Sequence, residues 1–138
     1  MSNIEFKEPE VTTQHPREMA HETLQDLIEF SIVLEKLSRN TAQRANEPDF
    51  LENLIHLIDE ISTFTEAIIH ARITLKMGLI RSVSLLEADL LSILKDLLHG
   101  QATGQKVYII SLLNEYLPTN FEQWRTQGIP ELIRSRDS

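Results

Sequence analysis

The sequence predicts an all-α fold, an antiparallel four-helix bundle with a short C-terminal helical appendix and a flexible N-terminal arm. Three observations carry this expectation. Leu (20) and Ile (15) far outnumber Val (4), a balance that favours helices over strands. Gly and Pro supply only 4 and 5 of the 138 residues, roughly half their usual share. Apolar residues recur at three- and four-residue intervals over long stretches, with no alternating pattern and no internal repeat. A chain of this length forms one domain and buries about two thirds of its unfolded surface, so residues 17–138 are read as a single helical domain.

Residues 1–16 are polar and unpatterned, with Pro9, Pro16 and the isolated apolar residues Ile4, Phe6 and Val11; they form the expected arm. The first helix spans about 17–38. Leu24, Leu27, Ile28, Phe30, Leu34 and Leu37 share one face, while Glu22, Gln25, Asp26 and Glu29 share the other. The polar stretch 39–46 connects it to a second helix over 47–77. Asn46 suits its N-cap, Pro48 and Asp49 its first turn, and Gly78 its C-terminus. Phe50, Leu54, Leu57, Ile58, Ile61, Phe64, Ile68 and Leu75 spread over an arc of roughly 200°, wide enough to meet two or more other helices.

The third helix is expected over 84–99, because Ser84-Leu85-Leu86-Glu87 matches a capping box and Gly100 a stop. A fourth helix over 105–117 ends at Pro118, which lacks the N–H that would continue it. Thr119-Asn120-Phe121-Glu122 offers a second capping box and predicts a fresh short helix to Gln127. Ile129-Pro130 begins a last turn, and 134–138 is a frayed tail.

Composition excludes several functions. The chain has no Cys, hence no disulfide, thiolate zinc site or cysteine nucleophile. Thirteen basic against 21 acidic residues give a net charge of -8, which repels phosphate backbones, so no nucleic-acid partner is expected. No uncharged stretch approaches the ~18 apolar residues of a membrane span. The acidic start, with Glu5, Lys7, Glu8 and Glu10, has no signal-peptide core. The expected location is cytoplasmic.

Several constellations invite a functional reading. Glu52, His56, Asp59, Thr63, Glu66 and His70 form a stripe on the second helix. Its two Glu-x-x-x-His pairs have metal-chelating spacing, and Glu18-x-x-His21 adds a third fragment. The stripe lies opposite the apolar face, so it is expected to face water; a metal site at Glu52, His56, Glu66 and His70 is the alternative. Arg72 and Glu87 fall on apolar-side angles. Arg72 is expected to snorkel out and Glu87 to complete its capping box, with a ligand or ion-pair role as the alternative for both. Gly100-Gln-Ala-Thr-Gly104-Gln-Lys106 lacks the spacing and strand context of a phosphate loop and reads as a turn. Tyr116, Phe121, Trp124, Ile129, Leu132 and Ile133 gather aromatic and aliphatic bulk near the C-terminus. They form either a lid on the bundle or a partner-binding site.

No nucleophile with an ordered base is present, and no cofactor is implied. The overall composition resembles that of small acidic helical export chaperones and regulatory adaptors of bacteria. That resemblance implies a non-catalytic adaptor or chaperone-like protein that engages a partner's amphipathic segment. The rival readings are a metal-binding helical protein and a self-associating homodimer.

Overall fold

A computed structural model describes residues 16–78 and 80–137 and folds them into four helices with no strand among the described residues. They are α1 (Pro16–Gln43), α2 (Phe50–Thr74), α3 (Arg81–Ala102) and α4 (106–137). The expected N-terminal arm lies outside the described residues apart from Pro16, which opens α1. Each helix runs antiparallel to its neighbours. Phe30 of α1 meets Phe64 of α2, Arg72 of α2 meets Glu87 of α3, Tyr108 and Asn120 of α4 meet Asp96 and Asp89 of α3, and Ser38 of α1 meets Leu113 of α4.

The core is almost wholly apolar. Leu24 and Leu34 of α1, Leu54, Leu57, Ile61, Phe64 and Ile68 of α2, Leu90 and Leu97 of α3, and Phe121 and Trp124 of α4 are fully buried. Phe64 sits among three rings in edge-to-face geometry: Phe30 at 5.9 Å, Phe121 at 5.6 Å and Trp124 at 5.9 Å between centroids. That is the favoured arrangement for aromatic quadrupoles.

The helix ends depart from expectation for local reasons. The first helix continues to Gln43 because the small residues Ala42 and Ala45 are buried and Thr41 returns its hydroxyl to Leu37 O at 2.8 Å. Asn46 does not cap α2. The helix starts at Phe50, and Asp49 turns its carboxylate to Arg44 at 2.9 Å instead of capping. Its C-terminus is closed not by Gly78 but by Lys76, in the left-handed region at φ 55°. Met77 N–H then reaches Arg72 O at 3.1 Å, the long bond of a Schellman turn. At the end of α3, Gly104 (φ 72°) takes the same position, with Gln105 N–H on Gly100 O at 2.8 Å.

The segment expected as a separate appendix is the second half of α4. Leu112–Tyr116 and Trp124–Gly128 are π-helical turns, each closed by a bond to the fifth residue back: Leu117 N–H to Leu112 O and Ile129 N–H to Trp124 O. Each π turn is followed at once by a proline dipeptide, Leu117-Pro118 and Ile129-Pro130. In this register residue 118 would donate to Leu113 O. Proline has no N–H, and Ser38 Oγ of α1 donates to that carbonyl instead, at 2.6 Å. Arg39 Nη1 donates to Asn114 O at 3.3 Å. The widened turn and two α1 side chains thus remove the reasons for which a mid-helix proline normally ends a helix.

Thr119 to Glu122 accordingly form no capping box. Asn120 is buried and donates to Asp89 Oδ2 at 2.9 Å.

Candidate functional site

Most of the C-terminal group singled out from the sequence lies inside the bundle. Phe121, Trp124, Ile129 and Leu132 are 0–1% exposed, and Ile133 packs partly buried against the core. Tyr116 alone of the six is largely exposed. Trp124 owes its place to Gly128: a Cβ there would stand 2.6 Å from the indole and 2.8 Å from Leu86 Cδ1. Burial of all but Tyr116 agrees with the reading in which this group covers the bundle rather than forming an open surface. The buried members are core, because the π turns keep α4 continuous and bring the positions 117, 121, 124, 128 and 132 to one side.

Arg72 and Glu87 find each other. Arg72 Nη2 lies 3.1 Å from Glu87 Oε1 and 2.9 Å from Oε2, with side chains only 21% and 17% exposed. Arg72 therefore does not snorkel into water. Glu87 completes no cap, because α3 begins at Arg81 with Ile80 at its N-cap position and no side-chain cap bond. Arg72 Nε is buried without a partner. Removing either side chain strands the other charge. Arg72→Met and Glu87→Leu should each cost about 1–3 kcal/mol, against about 0–1 kcal/mol for an exposed pair. The double variant should recover most of the loss. Urea titration of the four proteins in this cycle checks it.

Glu52, His56, Glu66 and His70 are all exposed on α2. Among the described residues no three His, Asp or Glu side chains are grouped to hold a metal ion. The side chain of His21, the third fragment of that reading, lies outside the described residues. Within the Gly100–Lys106 segment, residues 103–105 form the turn between α3 and α4, and the flanking residues belong to the two helices. Tyr108 donates to Asp96 Oδ2 at 2.9 Å, and that hydrogen bond to a carboxylate raises the phenol above its usual range.

The feature that sequence reasoning missed lies between α2 and α3. Backbones pack closely between α1 and α2, between α1 and α4, and between α3 and α4, whereas α2 and α3 approach each other at few positions. Both leave apolar side chains on that open side. On α2, Leu51, Ile55, Ile69 and Ile73 are 39–69% exposed; on α3, Leu91 and Leu98 are 52% and 56% exposed. Ile58 and Leu94 are partly buried between the rows. The spacing is heptad-like, with polar residues inside each row: Leu51, Ile55, Ile58, Ser62, Thr65 and Ile69 on α2, and Ile80, Ser84, Glu87, Leu91, Leu94 and Leu98 on α3. Such spacing keeps one seam facing one direction along a helix. Arg72–Glu87 clips one end of the face, and Phe50, Leu51, Gln101, Gly104 and Lys106 line a pocket at the other.

Two oppositely charged edges border this face. Glu52, Asp59 and Glu66, seven residues apart, run along the outer side of α2, and Arg81 and Lys95 along the outer side of α3; all five are exposed. Among the described residues none of them joins an ion pair. Charges at such flanking positions select the partner and its orientation in helix–helix recognition.

No family model matches the chain, and no curated protein or solved structure resembles it significantly. Among the described residues no helix is long and apolar enough to cross a membrane.

Proposed function

We propose that the chain is a non-catalytic adaptor or chaperone-like binding protein that takes an amphipathic helical segment of a protein partner on its α2–α3 face, in the cytoplasm. The observation that carries this reading is the pair of exposed aliphatic rows at heptad spacing, bordered by charge on both sides. Scattered surface leucines and isoleucines need no explanation, but exposed aliphatic residues recurring on one side of two adjacent helices, with a charged rim, fit an interaction surface. An amphipathic helix presents apolar residues at the matching spacing and so fills the groove.

The test uses a fluorescently labelled helical peptide about three heptads long, with Leu at a and d, Lys at e and Glu at g. Anisotropy should show saturable binding to the wild-type chain. Binding should be lost in Ile55→Asp and Leu91→Asp, whose stability should stay within about 0.5 kcal/mol of wild type because both sites are surface positions. Peptide binding that survives both substitutions sinks this reading of the face.

A further inference from the structure

We infer that the helices this face takes are α2 and α3 of a second copy of the same chain, the two copies being related by a two-fold axis parallel to the helices. The inference rests on the reading of the α2–α3 face as a helix-binding surface and names its partner. The two edges of the face carry opposite charge, Glu52, Asp59 and Glu66 on α2 against Arg81 and Lys95 on α3. A surface that is acidic along one side and basic along the other is complementary to itself.

The direction of the axis follows from those charges. A two-fold axis parallel to the helices lays α2 of one copy against α3 of the other, acidic edge on basic edge. An axis perpendicular to the helices lays α2 on its own copy and brings the two acidic edges together, which repels. The positions between Arg81, Lys95 and the helix end on the basic edge are Ala88 and Ala102, small enough to let the partner approach.

One pair of edge charges agrees in level with this arrangement, while Arg81 lies about 9 Å beyond the Arg72–Glu87 pair on the side away from the acidic row. Arg72 and Glu87 stand opposite each other across the antiparallel pair. At about 1.5 Å per residue, Glu66 lies roughly 9 Å and Lys95 roughly 12 Å along the bundle from that clip, in the same direction. Rotation about an axis parallel to the helices preserves these levels, so Glu66 of each copy meets Lys95 of the other.

The size of the face also suits a dimer. From Leu51 to Ile73 it is about 33 Å long and, at two helix diameters, about 20 Å wide. That footprint of roughly 650 Å² per copy approaches the ~800 Å² per partner of an ordinary specific interface. Residues 1–15 are a poorer occupant, since they offer only Ile4, Phe6 and Val11 as large aliphatic or aromatic residues apart from the initial Met.

The experiment is sedimentation equilibrium of the full chain at several concentrations, repeated for charge-reversed variants. The wild type should run at about twice the 15.9 kDa chain mass. Glu66→Lys and Lys95→Glu should each weaken the dimer about ten-fold, because two-fold symmetry counts every change twice. Mixing the two single variants should restore association, since each contact in the mixed pair then joins unlike charges. Leu91→Asp should give a monomer with an unchanged circular dichroism spectrum.

A wild-type monomer overturns the inference, and one that still binds the labelled peptide leaves the helix-binding reading standing alone. A dimer indifferent to Leu91→Asp, or a mixture of the reversed variants that fails to reassociate, also overturns it. So does a monomer in which residues 1–15 resist protease, which would assign the face to that segment.

Discussion

Trp124→Ala should lower the stability of the domain by about 3–5 kcal/mol, the cost of emptying a fully packed aromatic site. The indole is 1% exposed and touches Phe64 edge to face. Gly128 and Leu86 close around it without room to collapse, since even a methyl group at 128 would stand 2.6 Å from the ring. In a domain of this size the loss corresponds to a fall in melting temperature of roughly 10–20 °C, measured by circular dichroism. Trp124 is the single tryptophan, so the wild-type emission maximum reports this one site and should be strongly blue-shifted. A solvent-like maximum, or a melting temperature unmoved by the substitution, would contradict the buried placement.

Phe64→Ala should be as damaging, again about 3–5 kcal/mol, although it lies on a different helix. Phe64 is 0% exposed, and its ring is the one that Phe30, Phe121 and Trp124 all meet. Each such pair adds about 0.5–1.5 kcal/mol beyond the area it buries. Combined with Trp124→Ala, its effect should fall short of the sum by about 1 kcal/mol, because the two variants delete one shared contact. Urea denaturation of the two single variants and the double variant gives the cycle. Ile55→Asp on the same helix serves as the contrast, expected to leave stability nearly unchanged.

The bundle and most of its core were legible in the sequence, and the reasons for the misses are specific. The apolar positions of α2 from Phe50 to Leu75 point inward because periodicity alone sets the facing of a regular helix. Periodicity does not tell how near the next helix stands, so the wide arc on α2 does not reveal that its outer side, with Leu51, Ile55, Ile69 and Ile73, has no close neighbour among the described residues. The general rule for proline predicts a helix end at Pro118. What defeats that rule here is a partner hydroxyl 75 residues away in sequence, and no local window contains it.

Ser84 and Glu87 had the right spacing for a cap, but the helix begins three residues earlier. Arg72 and Glu87 were each conspicuous as charges on apolar-side angles. Each had a sufficient local explanation, and only the tertiary arrangement unites them.

The seam between α1 and α4 has a consequence for how the chain acquires its shape. Ser38 to Leu113, Arg125 to Ser31 and Arg125 to Glu35 join residues separated by 75, 94 and 90 positions. The first and fourth helices are thus direct neighbours, while α1 and α2 form a local hairpin that needs no distant sequence. The Phe30–Phe64 contact needs only these two helices, whereas the α4 side of α1 stays bare until the C-terminal helix is in place. Loop-closure entropy favours the hairpin as the early event. Ser31, Glu35, Ser38 and Arg39 give that side of α1 a polar character that disfavours burying it against an apolar surface. On the same argument, docking of α4 on α1 should follow the hairpin, and the Ser38 and Arg125 bonds fix the register of α4 once it docks.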